Sequence, residues 1–147
     1  MSISLEWERY LGIPYCFENG PDKVPNLATA RREGANCQAF VHLIQAELGS
    51  PLPLDVLSKE IFEDDSRFPS VPLDEIEGGE IFLFGREQEK DPRKFHKAIY
   101  TGLRNKQGDP LLIHNNGIDK VSSIWPLGRF AEAERYQRLY AIKKNRS

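Results

Sequence analysis

An excess of positive charge is missing from this sequence. Its 147 residues carry 20 Lys and Arg against 22 Asp and Glu, a net charge of −2. Nucleic-acid binders neutralise phosphates with a basic face, so a nucleic-acid partner is excluded. Long hydrophobic runs are missing too. The longest apolar stretches are a few residues, far short of the roughly 20 that a spanning helix needs, so no membrane span is expected. Cysteine is scarce: Cys16 and Cys37 are the only two, too few for a disulfide scaffold. The N-terminus, MSISLEWERYLGIPY, lacks a basic segment followed by an apolar run. These features read as a reduced, cytoplasmic protein, with a leaderless export route left open. Phosphate-binding glycine motifs and the close ligand pairs of zinc sites are absent, so the expected cofactors and metals are none. Internal repeats and low-complexity segments are absent as well.

What is present fits one globular unit over residues 1–147. Hydrophobic residues make up 39% and charged residues 29%, the balance of a water-soluble fold with a core. Residues 3–11 carry a rough helical stripe of Leu5, Trp7, Tyr10 and Leu11. Residues 12–35, with three Gly and three Pro, read as a long irregular loop, and loops of that length are usually functional or partly helical. Phe40, Val41, Ile44 and Leu48 predict a helix over 38–48 that Gly49 stops. A second short helix is expected at 54–63 after the Pro51–Pro53 corner.

The period then changes to that of strands. Strands are predicted at 78–85 (GGEIFLFG), 94–103 (KFHKAIYTGL), PLLIHNN after an NKQGD turn, IDKVSSIW, and a closing RYQRLYAIKK. In the last, Tyr136, Arg138, Tyr140 and Ile142 alternate with Gln137, Leu139 and Ala141. A helix is expected between Pro126 and Glu134. Helices first and an antiparallel sheet after them make an α+β fold in two layers.

Cys37 opens the 38–48 helix directly after a Gly-Ala-Asn turn. A helix N-terminus offers unpaired N–H groups and partial positive charge that favour a thiolate. Of three histidines, His42 lies five helical steps on, turned about 140° away from Cys37, and reads as a solvated or partly buried helix residue. His96 and His114 sit inside apolar strands that flank one turn. His96, Ala98 and Tyr100 share a face, as do Leu112 and His114. The three side chains converge if both faces point to the helix of Cys37. Register decides this, because a one-residue slip turns a strand over. A thiol nucleophile needs an imidazole to move protons and a third polar group to orient it. Trp125, Phe130 and Tyr136 read as core, and the charged REQEKDPRK loop at 86–94 is positioned to rim a cleft.

At these residues the sequence resembles the NlpC/P60-type cysteine peptidases. NCQAFVHLIQAELG resembles their Asp-Cys-Ser-Gly helix, FHKAIYTG their His-Val-Gly-Ile-Tyr-Leu-Gly strand, and LLIHNNG the following Phe-Ile-His strand. GGEIFLFG stands at the Gly-Asp-Leu-Val-Phe-Phe strand, and LGIPYCFENG is similar to the upstream Gly-x-Pro-Tyr segment. The resemblance implies a papain-like α+β fold with N-terminal helices packed on an antiparallel sheet. It implies Cys37 as nucleophile, His96 as general base and acid, His114 as the orienting third member, and Tyr15 as a substrate contact. Asn36 replaces the aspartate that in several members holds the substrate's free amine, and is carried over as a substrate-side residue. Gln38 and Ala39 replace Ser-Gly. No cell-wall-binding module is visible. The implied activity is hydrolysis of a peptide or amide bond, as in cell-wall (peptidoglycan) peptides, through an acyl-enzyme. An acyl transferase on the same fold and a non-catalytic binding domain are the alternatives.

Overall fold

The computed structural model describes residues 6–146. The helical stripe expected at 3–11 lies partly outside them, and its described part is a 3-10 turn at Trp7–Tyr10. The expected 12–35 loop contains a helix, α1 (Leu27–Glu33), capped by Asn26, whose side chain accepts from the Thr29 N–H at 2.8 Å. It buries only Ala30, so it leaves no apolar stripe in the sequence. The predicted nucleophile helix is α2 (Cys37–Glu47), with Phe40, Val41 and Ile44 buried. The next helix, α3 (Ser58–Glu63), starts later than expected. The turn closed by Val56 N–H to the Pro53 carbonyl precedes it.

All five predicted strands form: β1 (Ile81–Gly85), β2 (His96–Arg104), β3 (Pro110–Asn115), β4 (Ser122–Pro126) and β5 (Arg138–Lys143). They make one antiparallel sheet in the order β4-β3-β2-β1-β5. The helix expected after Pro126 is shorter, α4 (Leu127–Phe130), followed by a 3-10 turn at Glu134–Tyr136. The fold is α+β, with helices from the first half of the chain on an antiparallel sheet.

The two-layer expectation needs one correction, because the sheet is covered on both faces. Ile81, Leu83, Ile99 and Ile113 join the core beneath the helices, with Phe40 and Ile44. Phe82, Phe84, Ala98, Tyr100 and Leu112 point the other way, into a second core closed by Trp125, Phe130 and Tyr136. The cause is visible in IFLFG, whose every residue is buried. A strand apolar on both faces needs a cover on each.

The closing strand also departs from plain alternation. Leu83 pairs with Ala141, but Phe84 pairs with Leu139, so Tyr140 is the extra residue of a bulge. Tyr140 and Ala141 therefore both face the helix-side core, while Leu139 and Ile142 face the other. The bulge aims the Tyr140 ring onto Phe95, with centroids 4.5 Å apart. Its hydroxyl accepts from the Glu89 N–H at 2.8 Å and donates to the Arg86 carbonyl at 2.5 Å. One phenol thus clasps the loop between β1 and β2. Gly85 permits this approach, since a Cβ there would stand 3.1 Å from Phe95 and 3.2 Å from Tyr140.

Tyr140→Phe keeps the ring and removes the clasp. We expect a loss of about 1 kcal/mol in urea unfolding and faster tryptic cleavage at Arg86, Lys90 and Arg93. Unchanged unfolding and cleavage would show that the hydroxyl does not hold the loop.

Candidate active site

Cys37 is the first residue of α2 and is half-buried. Asn36 is the helix cap. Its Oδ1 accepts from the Ala39 N–H at 2.9 Å, and its Nδ2 donates to the Phe17 carbonyl at 3.1 Å. Asn19 ties the same loop down by donating to the Glu33 and Gly34 carbonyls. One residue therefore starts the helix and pins the 16–20 loop beside the thiol. Cys16 and Cys37 are both free thiols.

His96 and His114 meet: His96 Nε2 and His114 Nδ1 are 2.7 Å apart in a hydrogen bond. Tyr100 pairs with Leu112 across β2 and β3, so the two histidines lie on one face of the sheet, as the spacing allows. That face is not the one beneath α2. It is the opposite one, where His96 stacks on Tyr136 at 4.1 Å and His114 lies edge-on to Trp125 at 4.5 Å. His96 is the first residue of β2 and Cys37 the first of α2. Both line a cavity of about 410 Å³ together with Tyr15, Asn36, Gln38 and Tyr136. The 86–94 loop supplies its rim through Arg86, Glu89, Arg93 and Lys94, and Arg135 stands on the other side. Gln38 Oε1 is buried there without a hydrogen-bond partner among the described residues.

His114 is anchored in turn by Asn116. The Asn116 Oδ1 accepts from the Ile118 and Asp119 N–H groups at 3.1 and 2.8 Å. That leaves its Nδ2 facing His114 Nε2 at 3.4 Å and Ser123 Oγ at 3.2 Å. Asp119 closes the network, accepting from Ser123 Oγ and from Trp125 Nε1.

The charged residue that sequence reasoning missed is Lys97. It follows His96 on β2 and so points to the helix side of the sheet. There it is 1% exposed. Its ammonium donates to Ser58 Oγ and to the Phe95 carbonyl, and burial pushes it below the ordinary lysine range, with Cys37 opposing that shift. A lysine set among Phe95, Ala98 and Ile99 is the signal that was available, because buried lysine is rare without a partner. Tyr136 was read as core, and it is both core and cavity wall.

Burial governs the titration of these groups. It pushes His96 well below the ordinary imidazole range, with His114 and Lys97 adding to the effect. It lowers His114 to about 3, with a further push from Arg129 and an opposing pull from Asp119. His42 is lowered by burial too, with a smaller contribution from Lys97. It is half-buried on α2, and its Nε2–H donates to the Val56 carbonyl at 2.7 Å. Burial also raises Tyr15 and Tyr136, with Cys37 the next cause for each.

All three histidines are thus held neutral in the folded chain. The unfolded chain binds protons at them from pH 6.5 downward, and the folded chain does not. The stability this represents is present above pH 6.5 and is lost as pH falls toward the folded values. The urea midpoint should therefore drop between pH 7 and pH 5, before most carboxylates titrate. A flat midpoint across that range would contradict the burial of the histidines as neutral rings.

Among the described residues no helix is long and apolar enough to cross a membrane, and no three His, Cys, Asp or Glu side chains group to hold a metal ion. No family profile and no curated protein matches the chain. A solved structure does. It is a protein from Staphylococcus aureus described as similar to a lipoprotein of the NLP/P60 family. The match has a TM-score of 0.64 at 14% identity and covers 100% of this chain. This chain spans 44% of the length of that one. The chain has an NLP/P60-type fold, with Cys37 and His96 on the walls of one cavity.

Proposed function

We propose that this chain is a thiol hydrolase that cleaves a peptide or amide bond through a Cys37 acyl-enzyme. One observation carries the reading. The imidazole that shares a cavity with Cys37 is held by a second imidazole 2.7 Å away. A thiol, a proton carrier and an orienting group are the parts that acyl transfer through a thioester requires. In the reaction Sγ bonds to the substrate carbonyl carbon and the C–N bond breaks, with a proton passing to the leaving nitrogen. Water then cleaves the thioester, giving a carboxylic acid and restoring the thiol. His96 moves the protons of both halves, His114 holds its ring, and the Cys37 backbone N–H supports the developing oxyanion.

Tyr15 and Asn36 form the wall beside the nucleophile. Both polar ends of Asn36 are committed to the helix cap and the Phe17 carbonyl, and it carries no charge to hold an amine. The rim instead offers Lys94 and Arg135, beside Arg86 paired to Glu134 and Arg93 paired to Asp91. This favours a small peptide or amide that carries a carboxylate near the scissile bond. Cell-wall peptide fragments have that chemistry and are the substrates we propose first.

Incubation with cell-wall tripeptides and tetrapeptides, read by mass spectrometry, tests the proposal. Cleavage products should form with the native chain and vanish with Cys37→Ser. Cys37→Ser and His96→Ala should each lower turnover by at least about 10³-fold, with no further loss on combining them, since the residues act as one unit. His114→Ala should cost less. A Cys37→Ser variant that keeps a tenth of the rate would overturn the assignment of the nucleophile.

A further inference from the structure

The side-chain amide of Asn116 has a fixed orientation, and that orientation places the hydrogens of the two buried histidines. Asn116 is fully buried just after β3. Its Oδ1 accepts from the Ile118 and Asp119 N–H groups, so the end that faces His114 is the NH₂ end, a donor only. Three acceptors stand around that nitrogen: Ser123 Oγ at 3.2 Å, and the Val121 carbonyl and His114 Nε2 at 3.4 Å each. Ser123 donates its own hydrogen to Asp119 Oδ2 and receives from Asn116 through a lone pair.

A hydrogen on His114 Nε2 would meet no acceptor. Among the described residues Asn116 is the only hydrogen-bond partner of that nitrogen. Asp119 is committed elsewhere, with Oδ2 taken by Ser123 Oγ and Trp125 Nε1 and Oδ1 facing Arg129 at 3.6 Å. His114 is fully buried, where a hydrogen without an acceptor is costly. His114 Nε2 is therefore bare. An imidazole holds at least one hydrogen, so Nδ1 carries it and the ring is neutral. It donates that hydrogen to His96 Nε2, 2.7 Å away. His96 Nε2 is bare in turn, and His96 carries its hydrogen on Nδ1, the nitrogen left for the cavity it lines with Cys37. Two hydrogen bonds in series give this order without any titration value. Burial points the same way, since it pushes both rings below the ordinary imidazole range.

A ring ordered in this way offers the cavity a donor. To take the proton of a thiol, His96 needs a lone pair at Nδ1 and its hydrogen on Nε2. His114 would then accept at Nδ1 and carry its hydrogen on Nε2, against an NH₂ group with no lone pair to receive it. We propose that Asn116 is the positioning residue that fixes the tautomers of both histidines, so that His96 rests as a hydrogen-bond donor toward the cavity and becomes an acceptor there only when the Asn116 amide leaves His114 Nε2. The catalytic meaning of this order rests on the reading of His96 as proton carrier, and the order itself does not.

Long-range proton–nitrogen NMR of the histidine-labelled chain at pH 8 tests it, because a bare ring nitrogen and an N–H resonate far apart. In the native chain both Nε2 signals should lie at the bare position and both Nδ1 signals at the N–H position. A hydrogen on Nε2 of either ring overturns the inference. Asn116→Asp keeps one oxygen for the Ile118 and Asp119 N–H groups and turns the other to His114, an acceptor in place of a donor. The His114 Nε2 signal should then cross more than half of the separation between the two positions. An unmoved signal overturns the role of Asn116, whereas a merely structural asparagine would alter stability and leave the tautomers as they are. Should Asn116→Asp not fold, Asn116→Ala replaces it. His114 Nε2, released from the NH₂ group, should leave the bare position by at least a fifth of the separation, and a signal that stays overturns the inference. The spectra need no substrate, so this order in a chain that cleaves no peptide would support the inference and count against the hydrolase reading alone.

Discussion

Two backbone N–H groups, those of Ile118 and Asp119, converge on one amide oxygen, and the polar centre of this molecule depends on that small constraint. They orient Asn116, Asn116 orients His114, and His114 orients His96. The chain of hydrogen bonds runs through a core of aromatic rings, where an unmet donor is expensive and each direction is therefore strongly enforced. Trp125, Phe130 and Tyr136 wrap the pair of histidines. They keep water out and hold both rings neutral.

Adjacent residues of β2 thus face different cores, His96 the aromatic one with Phe84 and Lys97 the one beneath the helices with Leu83. A site in the middle of either face would see only every second residue.

Much of this was legible in the sequence. The apolar spacing of Phe40, Val41 and Ile44 located α2, and the Gly-Ala-Asn turn marked its start. Short apolar, β-branched and aromatic runs bounded by turn residues located all five strands, and the spacing of His96 and His114 allowed the shared face that they have. Three things were not legible, each for a physical reason. α1 is short and buries one residue, so it leaves no periodic trace. The face that the histidines occupy depends on what covers the sheet, and a strand buried on both sides, such as IFLFG, gives no preference. Tyr140 breaks the alternation of β5 by a bulge, which is a property of the pairing with β1 and not of β5 alone. Lys97 was legible in principle. Its place is held by valine in the family strand that FHKAIYTG resembles, and a lysine inside an apolar strand asks for a partner.

The bulge has a consequence for how this chain tolerates change. A β5 without the extra residue would be a more regular ladder, with every backbone group paired and each side chain on its expected face. Such a strand would still close the sheet. What it would lose is the ring that reaches across to Phe95 and the hydroxyl that holds the loop bearing Arg86, Glu89, Arg93 and Lys94. The cavity mouth is therefore shaped by the last strand of the chain, about a hundred residues from Cys37. The irregularity that weakens the sheet is the same one that shapes the site.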